Sequence, residues 1–240
     1  AVRYEWIAKN PVCATKVGAE KGNTSLRPVA EKEVFTVNEA RAFLRKLDED
    51  IPDDEMHKKV ILKFILLTGV RNGEMCGLKW SDIDFDKKVV HIRRNRLYSK
   101  QFGYYEKTPK TKTSVRDIPL TDALMDDLKK YMDWFRLADE EFDSRLDETY
   151  LAVNVYRQPL YPQSIGQWLT FYERKWDMKH VTCHGLRHTY CSLLLAQNVP
   201  IQTVSKYMGH SDSTVTLKVY SHFIPDTQGI AVNALNRLTE

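Results

Sequence analysis

No run of apolar residues in this 240-residue chain approaches the length of a membrane span, and no membrane partner is expected. The opening Ala-Val-Arg-Tyr-Glu-Trp has neither a Met nor the apolar core of a secretory signal, so the chain reads as a piece cut from a longer protein. Cysteine is scarce: Cys13, Cys76, Cys183 and Cys191 form no CxxC pair. A disulfide scaffold is therefore not expected, and reduced thiols in a cytoplasmic setting are. Cys183, His184, His188 and Cys191 lie close enough to raise the question of zinc. On a helix Cys183 would point away from the other three, and a distant second ligand pair is missing, so no metal site is expected. Internal repeats and low-complexity tracts are also lacking. So is a strong overall charge, which is only +4 and by itself names no partner.

What is present is enough apolar residue, 42%, to bury a real core. The charge is also unevenly placed. From Asp86 to Arg116 there are ten Lys or Arg against two Asp or Glu, on an otherwise mildly acidic chain. That pattern fits either a surface facing a polyanion or a solvated hairpin. Residues 1–10 read as the end of a helix stopping at Asn10-Pro11, and 11–34 as a polar linker. Thr36 and Glu39 then form a capping box, with Ala40, Phe43, Leu44 and Leu47 at helical spacing. Further helices are expected near 54–67 and 72–80. Strands are expected at Val89–Arg93, Gly103–Tyr105 and Val115–Leu120, forming one small, basic antiparallel sheet. Helices resume near 121–138, 162–175, 185–197, 201–208 and 213–221, with a last short one near 228–238. The expected fold class is mainly α with a small antiparallel sheet (α+β).

Four segments carry chemistry. Thr68-Gly69-Val70-Arg71-Asn72-Gly73-Glu74 sets an arginine where a glycine turn meets a helix start, a place suited to phosphate. Thr108-Pro109-Lys110-Thr111-Lys112 puts lysines on a connecting loop. In His184-Gly185-Leu186-Arg187 the histidine and arginine share one helical face, so imidazole and guanidinium can meet one anion. Tyr207-Met208-Gly209-His210-Ser211-Asp212 is a helix–turn–helix joint, with Ser211 or Ser213 as cap, leading to Tyr220 near the end of the second helix. Each segment alone also has a plain structural reading, as corner, turn, core histidine or packed tyrosine.

In this order and at these intervals the segments resemble the tyrosine recombinase family, and among its members the integrases of conjugative transposons. The resemblance runs from about residue 36 to 222 and implies the tyrosine recombinase catalytic-domain fold. It implies catalytic roles for Arg71, Lys112 (with Lys110 as the alternative), His184, Arg187, His210 and Tyr220. Glu74 would orient neighbouring groups or compensate a helix N-terminus. Arg93, Arg94, Lys110 and Arg116 would reach the DNA backbone. By the same likeness, residues 1–34 would be the end of a core-binding domain and a linker, 35–223 the catalytic domain, and 224–240 a tail. Ile224, Ile230, Val232, Leu235 and Leu238 give that tail an apolar face, for a neighbouring protomer or for its own domain.

The implied reaction is metal-independent strand transfer on double-stranded DNA without ATP or cofactor. Tyr220 would attack a phosphodiester to give a 3′-phosphotyrosyl link and a free 5′ hydroxyl. A phenol with an ordinary pKa of about 10 needs help to do so. Arg71 and Arg187 would clamp the phosphate, His184 and His210 would bond to it or assist proton transfer, and Lys112 would protonate the leaving oxygen. The likeness further implies four protomers exchanging strands through a Holliday junction, in a bacterial cell or phage-infected host. The Thr-Pro-Lys-Thr-Lys run points by resemblance to mobile elements of Gram-positive bacteria. A type IB topoisomerase shares this chemistry. A non-catalytic helix-turn-helix regulator would share only residues 200–221.

Overall fold

The computed structural model describes residues 28, 30–99, 101, 103–107, 115–224 and 236. The expected helix at 1–10, that at 228–238 apart from residue 236, the apolar tail positions 230, 232, 235 and 238, and both candidate lysines, Lys110 and Lys112, lie outside these residues.

Helix α1 (Val37–Asp50) begins at the expected capping box: Thr36 Oγ1 accepts from the Glu39 N–H, and Glu39 Oε2 accepts from the Thr36 N–H at 2.7 Å. Helix α2 (Met56–Thr68) is apolar on nearly every side and accordingly lies at the centre, with Val60, Ile61, Leu62, Phe64 and Ile65 fully buried. Around it pack α1, α4 (Asp122–Arg136), α5 (Pro162–Lys175) and α6 (Cys183–Ala196). Pro162 opens α5 at a position where a missing N–H costs nothing. Thr182 caps α6 by accepting from the Gly185 N–H at 2.9 Å, so the helix starts two residues earlier than its periodicity predicts and includes His184.

The short helix α3 (Asn72–Gly77) leads to the strands. One antiparallel sheet was expected; the described residues form two. Strands β1 (Ile83–Asp84), β2 (Val89–Ile92) and β5 (Arg116–Pro119) pair in the order β1-β2-β5, with Val90 opposite Ile118 and Ile92 opposite Arg116. Strands β3 (Asn95–Ser99) and β4 (Gly103–Lys107) form a separate ribbon packed on α3. The break falls at Arg94, whose guanidinium is tied to Asp82 and whose Nε donates to the Gly77 carbonyl at 3.2 Å.

Two more helices complete the described chain, α7 (Ile201–Met208) and α8 (Ser213–Tyr220). Asp212, rather than either neighbouring serine, caps α8: its carboxylate accepts from the Thr214 N–H at 2.8 Å. The main core gathers around α2 and the aromatic group Trp80, Tyr131, Phe135 and Phe142. A second, smaller core joins α6, α7 and α8 through Tyr190, Leu195, Val204, Met208, Val219 and Tyr220. The site lies along the seam of the two.

Candidate active site

The carbonyls at the C-terminus of α7 have no partners within their own helix and carry the negative end of its dipole. Three arginines from three other elements satisfy them in sequence. Arg116 of β5 donates through Nε to the Tyr207 carbonyl at 2.6 Å. Arg187 of α6 donates through Nη2 to the Met208 carbonyl and through Nη1 to the Gly69 carbonyl at 2.5 Å. Arg71, at the start of α3, reaches the Gly209 carbonyl through Nη2 at 3.5 Å. Gly209 is left-handed (φ +63°), which favours glycine, and a Cβ there would lie 3.0 Å from Arg116 Nη1 and press on that guanidinium.

Glu74 binds this group from the opposite side. It is buried, accepts from Arg116 Nη1 and Nη2 at 3.0 and 2.8 Å, and accepts from Arg71 through both Nη1 and the backbone N–H at 2.8 Å. Burial alone would raise its pKa, but the Arg116 bonds and the charges of Arg116, Arg71 and Arg187 win and hold it at about 2. Three guanidiniums thus share one carboxylate. Arg187 shows the imbalance: burial first, then the nearby Arg71 charge, pull it down to about 9. A bound anion would remove that penalty.

Two imidazoles border the same charges. His210 is pushed down to about 4 by burial and then by Arg187, Arg71, Arg116 and His184, and its Nδ1 is hydrogen-bonded to Thr216 Oγ1 at 2.8 Å. His184 is lowered by burial and by Arg187 and Arg71. Both rings are therefore neutral at pH 7 and able to donate to an anion through one N–H.

Tyr220 closes α8 against α6 with only 1% of its surface exposed. Its hydroxyl is hydrogen-bonded to His188 Nδ1. Burial and the adjoining Cys191 raise the phenol's pKa, while the Arg187 charge lowers it. The Arg187 guanidinium and the phenol are therefore within electrostatic reach of each other. The hydroxyl is covered by this packing.

Arg71, His184, Arg187, His210 and Glu74 thus converge, and Tyr220 lies beside them. Arg116 departs from expectation. It is buried, 5% exposed, and braces Glu74 and the α7 terminus instead of facing outward to DNA. Its position opposite Ile92, on the inner face of the sheet, is the physical reason. Arg93 is half exposed and lies 4.0 Å from Asp82, and Arg94 is held inward by Asp82. Sequence reasoning missed three features: the His188 contact to Tyr220, Thr216 as the partner of His210, and the Arg116–Glu74 pair. Of the four residues considered for zinc, His188 contacts Tyr220, Cys191 adjoins it, and the His184 and His188 rings pack edge to face. Among the described residues no group of three His, Cys, Asp or Glu is arranged to hold a metal ion.

Together the groups form a cationic cluster suited to a tetrahedral anion, with a phenol at its edge, which is equipment for transesterification at phosphorus. Residues 33–225 match the model of the phage integrase family. The "Tyrosine recombinase XerC-like" protein of Caldanaerobacter subterraneus subsp. tengcongensis is 31% identical, over 99% of this chain and 62% of its own length. The "Transposase from transposon Tn916" of Enterococcus faecalis is 26% identical, over 86% of this chain and 52% of its own. The chain thus spans between half and two thirds of these relatives. Among solved structures, the Tn1549 transposon integrase in complex with circular intermediate DNA superposes with a TM-score of 0.68 at 22% identity, covering 88% of this chain and 68% of that one.

Proposed function

Because the chain belongs to the phage integrase family, we propose that it is the catalytic domain of a site-specific DNA recombinase that moves a mobile element. In this reading Tyr220 cuts and rejoins DNA through a 3′-phosphotyrosyl link. One observation carries the proposal: Arg71, Arg116 and Arg187 meet on three successive carbonyls, 207 to 209, leaving cationic charge unbalanced beside the Tyr220 phenol.

In the mechanism, Arg71 and Arg187 bind the non-bridging oxygens of a scissile phosphate. They oppose the charge that grows there as Tyr220 Oη attacks. Arg116 and Glu74 fix Arg71 in place from behind. His184 and His210, both neutral, donate to the same phosphate. Lys112, or Lys110, protonates the departing 5′ oxygen. The bond energy is kept in the phosphotyrosyl link, so rejoining is the reverse attack by a 5′ hydroxyl. Double-stranded DNA is the substrate. Four protomers acting through a Holliday junction in the bacterial cytoplasm complete the reading, with 35–223 as the catalytic domain, 1–34 as the end of a core-binding domain and linker, and 224–240 as a tail for a neighbour.

The helix-turn-helix between Ile201 and Tyr220 has the outline of a DNA-reading motif. Its turn carbonyls are occupied by arginines, which a simple regulator has no use for. The test is incubation with a pool of nicked duplexes of randomised sequence, followed by a denaturing gel. A covalent protein–DNA band that disappears in Tyr220→Phe is expected. Binding with no covalent band in the wild type would contradict the proposal, and supercoil relaxation without strand exchange would move it to a topoisomerase.

A further inference from the structure

We infer that Thr216 is a positioning residue for the proposed reaction: its hydroxyl holds His210 in the tautomer whose ring hydrogen is on Nε2, the form that can donate to the scissile phosphate. This rests on the reading of the arginine cluster as a phosphate site and of Tyr220 as nucleophile.

A neutral imidazole has one donor nitrogen and one acceptor nitrogen, and the partner of one decides the role of the other. His210 Nδ1 lies 2.8 Å from Thr216 Oγ1. The direction of this bond follows from counting hydrogens. Thr216 is fully buried, so its hydroxyl hydrogen cannot go to solvent. A helical threonine can return its hydroxyl to the carbonyl four residues back. Thr68 does so to the Phe64 carbonyl at 2.6 Å, and Thr189 to the Gly185 carbonyl at 2.8 Å. Thr216 makes no such bond: among the described residues its hydroxyl meets His210 alone. If Nδ1 carried the ring hydrogen, the hydroxyl hydrogen would be buried without an acceptor. That arrangement is disfavoured by roughly tenfold or more in population. The hydroxyl therefore donates to Nδ1, and Nε2 carries the ring hydrogen.

His210 is neutral at pH 7, because burial and then Arg187, Arg71 and Arg116 push it down to about 4, so the ring has a single hydrogen to place. The residue is only half-buried, which leaves ring surface open to a ligand. Thr216 also lies one turn before Tyr220 on α8, on the same helical face. Seating α8 thus places the phenol and sets the imidazole together. The helix that carries the attacking group also fixes a donor to the phosphate it attacks.

The test uses two variants that separate the hydroxyl from packing. Thr216→Val keeps the shape and loses the hydroxyl. Thr216→Ser keeps the hydroxyl and loses a methyl. Single-turnover adduct formation on nicked DNA, DNA affinity and Tm are measured for each. Thr216→Val should slow the adduct about tenfold or more, as for loss of a partner that orients a site imidazole, with affinity within about twofold. Thr216→Ser should keep most of the wild-type rate, although the lost methyl lowers its Tm. A Val variant at the wild-type rate, or a Ser variant as slow as Val, overturns the assignment of Thr216 while leaving Tyr220 as nucleophile. A wild type that forms no adduct overturns the proposed function, and this role with it. In the free chain at pH 7, nitrogen NMR of His210 should show the hydrogen on Nε2, and Thr216→Val should displace the Nδ1 signal. A wild type with the hydrogen on Nδ1, or an unmoved signal in the Val variant, overturns the inference whatever the rates.

Discussion

Arg71 and Arg187 hold neighbouring carbonyls but differ sharply in exposure: the Arg71 side chain is 38% exposed, and Arg187 is 2% exposed as a residue. Replacing each with Ala should therefore separate chemistry from folding. Both changes should slow adduct formation by roughly 10²–10³-fold, as for loss of one charge-stabilising donor. Only Arg187→Ala should also lower Tm by several degrees, because it strands two buried carbonyls. Equal Tm losses would contradict this division. Glu74 makes a pH prediction. Its pKa is depressed from 4.5 to about 2 in the folded chain, so the stability it contributes is complete above pH 4.5 and is lost as pH falls toward 2. By linkage that amounts to roughly 3 kcal/mol. In urea titrations Glu74→Gln should be destabilised at pH 7 by roughly 3–5 kcal/mol, since it leaves Arg116 buried without its carboxylate. The gap from wild type should close as the pH drops through that window. A gap constant from pH 7 to pH 2 would show that the carboxylate charge is not what stabilises. None of these pairings was legible from sequence spacing. Glu74 and Arg116 are 42 residues apart, and the register of β5 on β2 decides that Arg116 points inward.

The turn between α7 and α8 is the element on which the site depends. It ends one helix in a left-handed glycine, presents three carbonyls to three arginines, and lets Asp212 start the helix that carries Tyr220. Gly209→Ala should cost about 1–2 kcal/mol from the positive φ alone, read as a Tm loss. Because the new Cβ would press on Arg116, it should also slow adduct formation. Asp212→Ala should cost about 1 kcal/mol as a lost cap and leave the rate nearly unchanged. If the two variants affected the rate alike, the turn would be acting only as a connector. Helices were the elements the sequence predicted best, because α1 and α4 repeat their apolar residues cleanly and α1 carries its capping box in plain view. Strand β3 was not expected. Its inward position is Arg96, which lies over the rings of Tyr104 and Tyr150 at 4.2 and 4.8 Å, so a cation stands where period-two reasoning looks for an apolar residue.

At the scale of the molecule, the site is built along the line where the core around α2 meets the smaller core of α6, α7 and α8. Each core supplies what the other lacks: Arg71 and Glu74 extend from the first, and Tyr220 from the second. The order of motifs along the chain made the family resemblance legible, since those at 68–74, 184–187 and 207–220 are each anchored to a helix end. How Tyr220 is held was not legible, because His188 and Tyr220 are 32 residues apart and meet only when α8 docks on α6. The basic stretch from Asp86 to Arg116 predicts DNA affinity that falls steeply with salt, linear in log–log form. Affinity independent of salt between 50 and 200 mM would argue against a phosphate-backbone partner. The most direct measurement of the central claim, that one phosphate is held here for attack by Tyr220, is peptide mass mapping of the covalent complex formed on nicked DNA. The mapping should find a nucleotide joined through its 3′ phosphate to the peptide containing Tyr220. A nucleotide attached to any other residue, or cleaved ends with no attachment, would contradict it.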